Sequence, residues 1–137
     1  MEKQGHILIC DDEEGIRESY NLILGEKFNL GFARNAEEAV RYVKEHLADN
    51  PVQLVFLDIK MPKLDGIEAL KEIKAMDKKV EVIMVTGYRT VETAAAATKY
   101  GAFDYLTKPF ETKDVQRIAE QVVFRYPFLD KINKLKN

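Results

Sequence analysis

The sequence predicts an α/β domain with a doubly wound parallel sheet. Two observations carry that prediction. Five short apolar runs alternate with five segments of helical period, and several runs are apolar almost throughout, as strands covered on both faces are. The connections are long enough for helical crossovers, which join parallel strands in a right-handed sense. A length of 137 residues allows one domain with one sizeable core, at about 150 residues per domain.

The elements follow in order. His6 to Cys10 is a short apolar strand. Glu14 to about Lys27 is a helix with Ile16, Tyr20, Ile23 and Leu24 on one side. Phe28 to Phe32 alternates as a second strand. Asn35, followed three residues later by Glu38, marks a capped helix start, and Ala36, Ala39, Val40 and Val43 form that helix's apolar face. Val52 to Leu57 reads as a central strand. Lys60 to Gly66, with Pro62, is a loop, and Ile67, Leu70 and Ile73 begin the next helix. Val80 to Val85 is the fourth strand. Glu92 to Tyr100 is an alanine-rich helix, and Ala102 to Leu106 is the fifth strand. Thr112 to about Phe124 is the last helix, with Val115, Ile118, Ala119 and Val122 spaced for packing. Pro127 is expected to end or kink it. Residues 1–124 are read as the domain and 125–137 as a helical extension or the start of a linker to an absent output domain.

Composition narrows the function classes. The chain is 46% hydrophobic and 32% charged, as a soluble globular domain is. With 21 Lys and Arg against 23 Asp and Glu, the formal charge is −2, which argues against direct nucleic-acid binding. One cysteine excludes a disulfide scaffold and, with no secretory segment visible, points to the cytoplasm. No apolar run reaches the roughly 18 residues of a membrane span.

In an open parallel sheet, ligands bind beyond the carboxyl ends of the strands. Asp11 and Asp12 follow the first strand, Asp58 the third, Thr86 ends the fourth, and Lys108 lies just past the fifth. Three carboxylates on one rim repel one another unless a cation sits among them. Hard oxygen ligands suit Mg²⁺, which keeps several waters and binds through carboxylates and phosphate. Lys108 adds a second positive charge and Thr86 a hydroxyl donor. Together these groups can stabilise the oxygens of a transferring phosphoryl group, and a carboxylate beside the metal can be the nucleophile.

This set resembles the receiver domain of bacterial two-component response regulators. The resemblance rests on Asp11-Asp12-Glu13, on Leu57 to Pro62 with Asp65-Gly66, on Val85-Thr86-Gly87, and on Tyr105 to Phe110, and it covers about Gly5 to Phe124. It implies the flavodoxin-like (βα)5 fold with strand order 2-1-3-4-5. It implies Asp58 as phosphoacceptor and Asp11, Asp12, Asp58 and the Lys60 carbonyl as ligands of Mg²⁺, or Mn²⁺ in its place. Thr86 and Lys108 become the hydroxyl and the cation of the transfer. The donor is a phosphohistidine on a sensor histidine kinase or histidine phosphotransfer protein. Self-phosphorylation from small donors and autodephosphorylation follow, without conventional enzyme turnover. Thr86 and Tyr105 form the switch, which biases the surface of the fourth helix, fifth strand and fifth helix, where the family forms its activated dimer or meets its output partner.

The resemblance also implies a cis bond before Pro109, aiming Lys108. Lys60 and Tyr88 flank the entrance for water and are expected to tune phosphate lifetime. Cys10 packs in its strand, and His6 and His46 lie far from the acids. Gly101 to Leu106 with Pro109-Phe110 resembles receivers of enhancer-binding transcription activators, which makes an absent transcription-regulatory output the leading expectation. A freestanding phosphorelay module is the alternative. A metal-dependent aspartyl-phosphate phosphatase is a third reading, but such enzymes normally place a carboxylate two residues beyond the nucleophile, where this chain has Lys60.

Overall fold

The computed structural model describes residues 2–58, 64–87 and 90–136. The elements run β1 (Gln4–Cys10), α1 (Glu14–Leu24), β2 (Phe28–Ala33), α2 (Ala36–Glu45), β3 (Leu54–Asp58), α3 (Leu64–Met76), β4 (Glu81–Thr86), α4 (Val91–Lys99), β5 (Asp104–Thr107) and α5 (Thr112–Lys136). All strand pairs are parallel, and the sheet order is β2-β1-β3-β4-β5. The doubly wound expectation therefore holds, strand order included.

Alternation along each strand splits the core in two, because successive side chains point to opposite faces. Leu8, Cys10, Val55, Leu57, Val82 and Met84 face one side with Ala39 and Val43 of α2, Leu70 and Ile73 of α3 and Ala97 of α4. Ile7, Ile9, Leu54, Phe56, Ile83 and Val85 face the other with Tyr20 and Leu24 of α1 and Val115, Ile118, Ala119 and Val122 of α5. The central strands are buried on both faces, which is why their sequences lack polar alternation.

Local chemistry explains most of the boundaries. Asn35 caps α2 by accepting from the Glu38 N–H at 2.9 Å, as the pattern predicted. The Glu38 carboxylate reaches one residue further back, to the Arg34 N–H at 3.3 Å. Helix α4 begins on Thr90, not Glu92, through a capping box in which Thr90 and Thr93 exchange side-chain and backbone bonds. It ends in a Schellman motif: Gly101 has φ +89°, its N–H donates to the Thr98 carbonyl at 3.2 Å, and the Ala102 N–H donates to the Ala97 carbonyl at 2.9 Å. Ala102 is thereby spent on closing the helix, so β5 starts at Asp104 rather than Ala102.

The last helix departs from expectation. It does not end near Phe124 but runs through Pro127 to Lys136. Proline's own φ is helical, and although its ring removes one backbone donor and crowds the carbonyl one turn earlier, the helix continues past it to Lys136. Among the described residues no helix is long and apolar enough to cross a membrane.

Candidate functional site

The carboxyl ends of the strands bring Asp11, Asp12, Asp58, Thr86 and Lys108 to one rim. Backbone bonds beyond the strands set their positions: the Asp11 N–H donates to the Ala33 carbonyl at 3.0 Å, and the Lys108 N–H donates to the Thr86 carbonyl at 2.7 Å. Asp58 ends β3 opposite Val85 of β4, so Thr86 stands one residue further along the rim. The Lys108–Pro109 bond is cis, as the resemblance implied.

Asp11, Asp12 and Asp58 each offer a carboxylate oxygen, and the three lie within 4.8 Å of one another. Lys108 Nζ is 3.3 Å from Asp58 Oδ1 and 3.5 Å from Asp11 Oδ2. Asp11 is buried, Asp12 is exposed, and the Asp58 side chain is only 6% exposed. Burial and the neighbouring Asp11 charge push the Asp58 carboxyl up to about 6, and Lys108 only partly offsets them. Asp58 Oδ2 is buried, and among the described residues nothing donates a hydrogen bond to it. An orphaned acceptor beside two further carboxylates is a donor set that fits a hard divalent cation. The cluster sits at the mouth of an open cleft of about 720 Å³, which continues between Arg34, Glu37, Arg41, Glu68 and Glu72.

Of the remaining predicted residues, Thr86 is 1% exposed at the end of β4. Tyr105 is half-buried on β5, and its hydroxyl lies 2.8 Å from Thr93 Oγ1. Lys60 and Tyr88, expected to tune phosphate lifetime, lie outside the described residues, as does the Lys60 carbonyl expected on the metal. Cys10 is buried in β1 as expected, and burial together with Asp58 and Asp11 pushes its thiol up to about 12, which makes it a poor nucleophile.

Two supporting residues were not read from the sequence. Arg17 in α1 donates from Nη1 to the Asp11 carbonyl at 2.8 Å, while the Glu13 N–H donates to Asp11 Oδ1 at 2.9 Å. The turn carrying the acid pair is thus braced on both sides. No spacing rule marks such an arginine. Thr93 is the other, and the Thr-x-x-Thr run from Thr90 was its available signal. His6 and His46 lie at the other end of the fold. His6 is buried with Nδ1 2.7 Å from the Asn50 carbonyl and Nε2 2.7 Å from the Tyr42 hydroxyl, and His46 stacks on the Tyr42 ring.

The fold and its rim define a parallel α/β domain with a three-carboxylate cluster and an apposed lysine. The response regulator receiver domain family matches residues 7–120, and the chain belongs to that family. Regulatory protein AtoC of Escherichia coli (strain K12) is 38% identical over 118 residues, 85% of this chain and 25% of that protein. Chemotaxis protein CheY of Halobacterium salinarum is 40% identical over 124 residues, 90% of this chain and 98% of that protein. The crystal structure of a response regulator receiver domain protein from Clostridium thermocellum has a TM-score of 0.80 at 32% identity, covering 91% of this chain and 98% of that one. The expected likeness to activator receivers is borne out by AtoC and by transcriptional regulatory protein ZraR. The chain spans about a quarter of the length of these first curated relatives.

Proposed function

We propose that this chain is a phosphoryl-accepting switch. The observation that carries the reading is the cluster of Asp11, Asp12 and Asp58 within 4.8 Å, with Lys108 3.3 Å from Asp58. An Asp58 oxygen attacks the phosphorus of a partner's phosphohistidine; the P–N bond breaks, the imidazole leaves with the bonding pair, and an aspartyl phosphate remains. Asp11, Asp12 and Asp58, with the Lys60 carbonyl, would hold Mg²⁺, which would supply positive charge to the phosphoryl oxygens. Lys108 neutralises a further oxygen, and the Thr86 hydroxyl donates to another. Water later cleaves the acyl phosphate, and Lys60 and Tyr88 tune that rate. The new charge draws Thr86 inward and lets Tyr105 rotate, biasing the α4-β5-α5 surface between two states.

The donor is a sensor histidine kinase or a histidine phosphotransfer protein, and the setting is the cytoplasm. The output is transcription regulation through a segment joined by residues 125–137, with dimerisation on phosphorylation. The near-complete coverage of the Halobacterium salinarum chemotaxis protein supports a second reading, a freestanding signalling module.

Incubation with Mg²⁺ and phosphoramidate, followed by intact mass measurement, tests the central step. One added phosphoryl group, lost in Asp58→Ala, is expected; no addition under any donor and metal condition would sink the reading. Lys60→Ala and Tyr88→Ala with unchanged decay rates would remove those two residues from it.

A further inference from the structure

Tyr105 meets the first turn of α4 at the Thr93 side chain. Its phenolic oxygen lies 2.8 Å from Thr93 Oγ1, and Thr93 is also half of the α4 cap. The Thr93 N–H donates to Thr90 Oγ1 at 3.0 Å. Thr93 Oγ1 lies 3.2 Å from the Thr90 N–H, 2.9 Å from Thr90 Oγ1 and 3.1 Å from the Thr90 carbonyl. A hydroxyl has one proton and two lone pairs, so four partners compete for three bonding positions. When Tyr105 leaves, three partners remain for three positions. The cap stays satisfied, and the departure orphans nothing on α4.

We infer that Thr93 is a positioning residue of the switch. Its hydroxyl holds Tyr105 against the start of α4, and release of Tyr105 frees α4 to shift as an intact helix instead of unravelling. This inference rests on the phosphoswitch reading above and names a residue through which β5 and α4 are coupled. The setting of α4 agrees with it. Ala97 is its one buried residue, and Val91 in its first turn is 84% exposed. With so little packing to hold the first turn in place, a polar tie to β5 carries weight there. The same turn is closed by its own threonines, independently of the sheet.

The test is solution NMR of the full chain, following the Tyr105 ring signals and the α4 amides with and without beryllofluoride and Mg²⁺. Thr93→Val removes the tie together with Thr93's half of the cap, Thr93→Ser keeps both, and Thr90→Val weakens the cap while leaving Thr93 for Tyr105. In the free protein, Thr93→Val is expected to move the Tyr105 and α4 signals toward their beryllofluoride positions. The expected change in the ratio of the two states is about fivefold, the worth of one net hydrogen bond. Thr93→Ser should leave them in place. Thr90→Val should lower α4 amide protection without moving the Tyr105 ring. Identical responses to Thr93→Val and Thr90→Val, or an unmoved Tyr105 in Thr93→Val, would overturn the inference. Wild-type signals that ignore beryllofluoride would instead sink the phosphoswitch reading, and the comparison of Thr93→Val with Thr93→Ser in the free protein would still decide the tie.

Discussion

Replacing Asp58 by asparagine should make the metal-free domain more stable while abolishing its chemistry. The Asp58 carboxyl is held at about 6 against an ordinary 3.8, by burial first and by Asp11 second. The folded state therefore keeps its proton more tightly than the unfolded chain does. Stability falls as pH rises from about 4 to 6, and the whole penalty is present above that window. At about 1.4 kcal/mol per unit the ceiling is about 3 kcal/mol. The cleft is open and Lys108 is 30% exposed, so screening by solvent reduces the expectation to about 1–3 kcal/mol. Asparagine carries no charge, and Lys108 keeps Asp11 as its partner at 3.5 Å. Urea unfolding in EDTA should show Asp58→Asn more stable than wild type by that amount at pH 7.5, with the gap closing toward pH 4. Saturating Mg²⁺ should then narrow the gap at pH 7.5, because binding to the folded state stabilises the wild type more than the variant. Equal or lower stability of Asp58→Asn at pH 7.5 in EDTA would refute the reasoning.

Other perturbations have equally definite expectations. Lys108→Ala should slow phosphorylation by phosphoramidate about 100-fold or more, the usual cost of losing a charge-stabilising group, with unchanged circular dichroism; a rate within a factor of three of wild type would exclude that role. Gly31→Ala should cost about 1–3 kcal/mol, because a Cβ there would overlap the Tyr42 phenol that bonds His6. Urea midpoints would show it, and Gly31→Ala combined with Tyr42→Ala should recover part of the clash. Burial holds the His6 imidazole below its ordinary 6.5, with His46 a further lowering influence. The unfolded chain therefore takes up a proton that the fold resists, and stability contributed by neutral His6 is lost as pH drops below about 6.5. The fall in stability between pH 7.5 and 5.5 should be shallower in His6→Gln; a parallel fall would remove His6 from the acid response.

Much of this was legible because the physics is local or periodic. The apolar runs of β1, β3 and β4 announce burial on both faces, and Asn35 with Glu38 announces the start of α2. The site was legible because parallel topology carries the residue after each strand to a common rim, so the Asp11-Asp12 pair meets Asp58 and Lys108 across long sequence intervals, with Thr86 on the same rim. The unread features depend on tertiary context. Arg17 earns its role only from a carbonyl six residues away that the fold turns toward it. His6 and Tyr42 meet because Gly31 leaves room for a ring above β2. The start of β5 moved because Ala102 was claimed by the end of α4, and the reach of α5 was hidden because a proline in sequence looks like a stop.

The light anchoring of α4 also bears on how such domains diversify. A helix that contributes one buried alanine to the core can change nearly all its residues with little penalty to folding, whereas α5 is committed to the core through Val115, Ile118, Ala119, Val122 and Val123. Mutation can therefore rewrite what α4 meets while the acid rim and both halves of the core are inherited intact.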